Sequence, residues 1–142
     1  MFEVRHFGIV VSDIEKALWF YRDLAGLEVQ KDLQESGSYI DNFSALKNVD
    51  VRTVKMTSSN GGMVELLYYS SHPEKANPQP INVIGCSHVA FTVGNLDEVY
   101  EDFSSKGIEF NSPPQLSPDG YAKVTFCRDP DGNLVELVEV LK

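Results

Sequence analysis

Short apolar runs and amphipathic stretches alternate along the chain in a pattern that occurs twice. Residues 7–11 and 89–93 are brief runs rich in β-branched and aromatic side chains, and they predict strands. After the first, Ile14, Ala17, Leu18 and Tyr21 fall at i, i+3, i+4 and i+7; Leu96, Val99, Tyr100 and Phe103 repeat that spacing after the second. Both stretches predict amphipathic helices with one buried face. Ser12 with Glu15, and Asn95 with Glu98, have the residue types of an N-cap and its N3 acid. Gly26 and Gly107 stand where a C′ glycine ends a helix. Further strands are predicted near 28–33, 51–57 and 63–69 in the first half and near 109–115, 122–128 and 134–141 in the second.

The halves also match residue by residue. His6-Phe-Gly-Ile-Val-Val opens one and His88-Val-Ala-Phe-Thr-Val the other, and Gly61-Gly-Met-Val-Glu65-Leu is echoed by Gly132-Asn-Leu-Val-Glu136-Leu. Twenty positions lead from His6 to Gly26 and nineteen from His88 to Gly107, so one deletion aligns them. Two copies are too few for a solenoid, which leaves a fused pair of strand–helix–three-strand modules. The expected organisation is a single domain over 1–142: module one at about 1–69, a polar, proline-bearing linker at about 70–80, and module two at about 84–142. Residues 36–50 have no counterpart of equal length and are expected to be a specificity insert or a long loop with a helical turn.

Strand alternation puts His6, Gly8 and Val10 on one face and Phe7, Ile9 and Val11 on the other. His88, Ala90 and Thr92 share the corresponding face in the second copy. The bulky set can pack under a helix, whereas the histidine face is lined by small residues, as a cavity wall would be. Glu65 and Glu136 sit inside apolar strand sequences, where a carboxylate is costly unless it is paired or binds a cation. One strand histidine is ordinarily a hydrogen-bonded structural residue, and one strand glutamate ordinarily faces water. Two of each, at equivalent places in two copies, form a candidate ligand set: His6, Glu65, His88 and Glu136. His72, in the linker and without a repeat partner, is read as solvated. Two imidazoles and two carboxylates suit nickel, cobalt, iron, manganese or zinc. On an octahedral ion they leave two positions for water or substrate. The ion can polarise a carbonyl, and a nearby carboxylate can take a proton.

Composition narrows the class. The chain has 142 residues, 42% apolar and 23% charged, which is ordinary for one folded domain. Its 12 basic and 21 acidic residues give a net charge of −9, which disfavours nucleic acid and anionic membrane as partners. No apolar run reaches a membrane span and no secretory h-region follows Met1, so a soluble, cytoplasmic protein is expected. Cys86 and Cys127 make neither a disulfide framework nor a C-x-x-C zinc pair. Trp19, Phe20 and Tyr21 are read as packing residues. Cys86 is read as a buried inert thiol, and the loop 118–123 as either a cavity rim or a plain hairpin turn.

These motifs, with Phe20-Tyr-Arg-Asp-Leu-Ala-Gly-Leu and Asp129-Pro-Asp-Gly-Asn-Leu-Val-Glu136, resemble the vicinal oxygen chelate superfamily over nearly the whole chain. That superfamily holds glyoxalases, methylmalonyl-CoA epimerases, bleomycin-resistance proteins and extradiol dioxygenases. The resemblance implies an α+β fold of two tandem βαβββ modules, forming a curved half-barrel mixed sheet with flanking helices. It places His6, Glu65, His88 and Glu136 at the metal-ligand positions of bacterial-type glyoxalase I, with Glu65 and Glu136 as the catalytic candidates. Epimerase relatives usually carry Gln at the Glu65 position, and the extradiol dioxygenases use only two His and one Glu. The insert around Tyr39-Ile-Asp-Asn-Phe looks closer to epimerase-like relatives. The implied function is a divalent-metal-dependent lyase, isomerase or epimerase, acting on a small carbonyl or thioester substrate through an enediolate held at the metal. A homodimer is the implied assembly. The alternatives are a ligand-sequestering protein of the bleomycin-resistance type or an iron-dependent dioxygenase. Arg5, Arg22, Lys123 and Arg128 are the candidate contacts for a glutathione or CoA moiety, and they form no cluster in the sequence.

Overall fold

The computed structural model describes residues 1–142, which divide into two compact units, Met1–Ala76 and Asn77–Lys142. In the first unit, β1 (Phe7–Val10) runs parallel to β4 (Met63–Tyr69). β3 (Asp50–Thr57) is antiparallel to both β4 and β2 (Glu28–Ser36), giving the spatial order β1-β4-β3-β2. The second unit repeats this with β5 (His88–Thr92), β8 (Leu134–Val140), β7 (Ala122–Arg128) and β6 (Gln115–Leu116), in the order β5-β8-β7-β6. Each unit is thus a four-stranded mixed sheet, and three helices complete the α+β fold, the first of them ending in a wider turn. No helix is long and apolar enough to cross a membrane.

The first helix departs from the sequence expectation in two ways. Its N-cap is Asp13 rather than Ser12: the Asp13 carboxylate accepts the Lys16 amide at 3.1 Å, ahead of α1 (Ile14–Leu18). The helix then widens into a π turn over Trp19–Leu24, where the Ala25 amide reaches back five residues to the Phe20 carbonyl at 2.9 Å. The wider turn carries both Phe20 and Tyr21 fully inward, edge to face with ring centroids 4.8 Å apart. They join Ile14, Ala17 and Leu18 in the core with Val54, Met56 and Leu66 of the sheet. In the second unit Asn95 caps α3 (Leu96–Ser105) as expected, its side chain accepting the Glu98 amide at 3.2 Å. Glu139 of β8 accepts the Leu96 amide at 2.9 Å, tying the first turn of α3 to the sheet.

The strand expected over 109–115 is mostly absent. Only Gln115–Leu116 pairs as a strand, with one isolated bridge from Phe110 to Cys127. Pro113 and Pro114 explain the break, since neither offers an amide hydrogen and each restricts the residue before it. The insert 36–50 folds into α2 (Ser38–Ser44), whose Ile40 packs with Val49 and Val51, with Leu67 and Tyr69 against them. Asp41 closes it, its carboxylate accepting the Asn48 and Val49 amides at 3.0 and 2.9 Å. By alternation Val51, Leu67 and Tyr69 share the face that carries Glu65, so α2 covers one end of that face.

Candidate metal centre

The strand registers place the two glutamates identically. Glu65 lies across from Gly8 on β1 and Lys55 on β3; Glu136 lies across from Ala90 on β5 and Phe126 on β7. Small residues at Gly8 and Ala90 leave each carboxylate room to reach the histidine at the start of the neighbouring strand. His6 Nε2 stands 3.7 Å from Glu65 Oε1, and His88 Nε2 stands 3.2 Å from Glu136 Oε2. The four predicted donors therefore form two His–Glu pairs, one in each unit. No group of three or more His, Cys, Asp or Glu side chains suited to a metal is assembled.

Each pair has the dimensions of two neighbouring ligands on one ion. Donors bonded at about 2.1 Å and at right angles lie about 3 Å apart, which His88–Glu136 matches and His6–Glu65 exceeds modestly. The His88 ring is also oriented from behind, with Ser87 Oγ 2.6 Å from Nδ1, so Nε2 is the nitrogen presented to Glu136. All four side chains are part-buried, from 12% exposed at Glu65 to 34% at His88. Such a site is half dry yet still open to a ligand.

The units differ in what flanks the pair. Lys55 Nζ lies 3.9 Å from Glu65 Oε2, so both oxygens of Glu65 face a nitrogen. At the matching place Phe126 packs edge-on against the His88 ring, with centroids 5.1 Å apart. Glu136 accordingly has His88 beside it, at 3.2 Å from Oε2, and no lysine ion pair like that of Glu65. Sequence reading missed both neighbours, although each lies ten positions before its glutamate.

Other sequence candidates have structural roles. The Asp129 carboxylate accepts the Asp131 and Asn133 amides at 3.0 and 2.9 Å, and this turn delivers Glu136 to its register position. Arg128 Nη1 donates to the Gln79 and Gly132 carbonyls at 2.9 and 2.8 Å, fastening the linker to that turn. Lys123 pairs with Asp97 at 2.6 Å, which holds its ammonium above the usual lysine range. Arg22 pairs with its neighbour Asp23 at 2.8 Å, and Arg5 is exposed ahead of β1. The loop 118–123 is a hairpin turn closed by the Ser117 amide on the Ala122 carbonyl at 2.8 Å. Cys86 is exposed, contrary to expectation, because it precedes β5 in irregular chain. Cys127 is the buried thiol, and burial, with the Asp129 charge adding to it, pushes its pKa up to about 12.

Paired modules of one strand, one helix and three strands, with a His and a Glu facing each other at the same register in each, define a duplicated α+β class with oxygen and nitrogen donors repeated in both halves. The sequence matches the Glyoxalase/Bleomycin resistance protein/Dioxygenase superfamily over residues 3–137, and the chain belongs to it. It is 33% identical over 138 residues to the uncharacterized protein YwkD of Bacillus subtilis, covering 96% of this chain and 95% of that one. It is 28% identical over 144 residues to the lactoylglutathione lyase of Schizosaccharomyces pombe, covering 96% of this chain but only 47% of that enzyme. A glyoxalase family protein from Bacillus cereus has the same fold, with a TM-score of 0.90 at 23% identity over 100% of this chain and 96% of that one.

Proposed function

We propose that the chain is a divalent-metal-dependent lyase or isomerase that moves a proton at a carbon beside a carbonyl or thioester. His6, Glu65, His88 and Glu136 would hold one ion, either within a chain or between the copies of a homodimer, in a cytoplasmic protein that acts as one domain. When bound, the ion would supply Lewis-acid polarisation of the substrate carbonyl, and the donor set suits nickel, cobalt, manganese, iron or zinc. The observation that carries this reading is the repeated His–Glu pair at one strand register in both units.

The two glutamates divide the work. Glu65 is the more buried and faces a nitrogen at each oxygen, which suits a fixed ligand. Glu136 is twice as exposed and has no lysine beside it, which leaves it free to accept the substrate proton and return it to the neighbouring carbon. Phe126 keeps that side apolar and holds the His88 ring edge-on.

The test is proton exchange in deuterated water, followed by NMR on a panel of hemithioacetals and acyl thioesters with nickel- and manganese-loaded protein. Exchange at the carbon beside the carbonyl, lost in Glu136→Gln, supports the proposal. Tight binding of a panel compound without exchange, in a protein that takes up no metal, favours the ligand-sequestering alternative.

A further inference from the structure

One row of residues crosses the whole first sheet: Gly8 on β1, Glu65 on β4, Lys55 on β3 and Lys31 on β2. Directly paired residues project from the same face with β-carbons about 5 Å apart. Lys55 and Lys31 are thus neighbours on the face that carries His6 and Glu65. Like charges set directly opposite each other destabilise a sheet. Lys55 has a partial partner in Glu65, at 3.9 Å, longer than a charged hydrogen bond. Lys31 is exposed and makes none of the ion pairs in the structure. The matching row of the second sheet runs Ala90, Glu136, Phe126 and carries no cation. In a chain of net charge −9, two lysines are set side by side beside a metal-ligand candidate, with Glu28 one pair further along the same face.

A cation at Glu65 would compete with Lys55 for that carboxylate, and the other two carboxylates that the register sets on this face, Glu28 opposite Thr57 and Glu35 opposite Val51, form an ion pair with neither lysine. We infer that Lys55 and Lys31 bind an oxyanion of the substrate, a carboxylate or a phosphate, on the β2 side of the His6–Glu65 pair. This rests on the metal-dependent reading above and narrows its substrates to anionic carbonyl compounds. With strands about 4.8 Å apart, the oxyanion sits some 5–10 Å from Glu65 along the row. Lys55 and Lys31 are specificity residues; neither handles the migrating proton.

The test titrates sodium phosphate and sodium succinate, separately and at fixed ionic strength, into nickel-treated wild type, Lys55→Met, Lys31→Met and Lys55→Arg. Nickel affinity is measured on the same samples. At least one anion should bind the wild type, about tenfold more weakly in Lys55→Met, less weakened in Lys31→Met, and within about threefold of wild type in Lys55→Arg. Preference for phosphate or for succinate names the oxyanion. Equal affinity in wild type and both methionine variants, or no binding of either anion to the wild type, overturns the inference. A wild type that takes up no nickel overturns the metal reading instead, and the anion comparison is then judged by itself.

Discussion

Glu65 and Glu136 occupy the same position of the same motif, yet one stands between a histidine and a lysine and the other beside a histidine and a phenylalanine. Their strand registers are identical, so the difference comes wholly from the adjacent strand, where Lys55 and Phe126 hold the corresponding place. The duplication has kept the positions that set donor geometry and let the next position diverge. That divergence separates a more buried glutamate with a lysine beside it from a more exposed one without.

The largest expected effect tests this division directly. Glu136→Gln should lower proton exchange by about a hundredfold or more, the scale of a lost general base. Glu65→Gln should act first on metal affinity, so excess metal should restore part of its activity and none of that of Glu136→Gln. Equal rescue of both would erase the distinction.

The corresponding glycines Gly61 and Gly132 sharpen the comparison in terms of stability. Both have positive φ, 88° and 85°, but a β-carbon at Gly61 meets nothing within 4 Å, whereas one at Gly132 would lie 2.5 Å from Pro78 Cγ. Gly61→Ala should cost about 1–2 kcal/mol of left-handed backbone strain. Gly132→Ala should cost roughly 1–3 kcal/mol more for the overlap, read from denaturant midpoints.

Ser87→Ala removes the group behind His88, and the first unit has no matching serine, since Arg5 precedes His6. It should weaken metal binding by about tenfold without unfolding the chain.

The smallest effect belongs to the helix side of the first sheet. Arg52 donates to Asp32 at 2.9 and 2.8 Å and to Glu15 at 3.3 Å, and the Arg52 hydrogen bond holds the Asp32 carboxyl below its usual range. A lowered carboxylate pKa adds stability that is present above the unfolded value and is lost as pH falls through the folded one. Asp32→Asn should therefore be less stable at pH 7 by under about 1 kcal/mol, since the pair is largely exposed. The gap should close as pH falls below the ordinary aspartate range, as followed by thermal melts.

Much of this architecture was legible because repetition doubled each signal. The helix faces, the Asn95 cap and five of the six later strands follow from periodicity and capping chemistry that recur at matched spacings. What was not legible depended on competition between neighbours. Ser12 and Asp13 both have capping side chains, and only the backbone decides which one faces the Lys16 amide. The match to the first half outlines a strand over 109–115 that two prolines then deny its hydrogen bonds. Lys55 and Phe126 became visible only when strand pairing set them beside Glu65 and Glu136, because one sequence in isolation does not state its register.

The most direct measurement is the stoichiometry and affinity of nickel in wild type, in the double variant His6→Ala/Glu65→Gln, and in the double variant His88→Ala/Glu136→Gln. If the two pairs serve one ion, wild type should hold about one ion per chain, and either double variant should lose binding by at least a hundredfold. Wild-type affinity retained in either double variant would show that a single His–Glu pair suffices, and would contradict the shared centre.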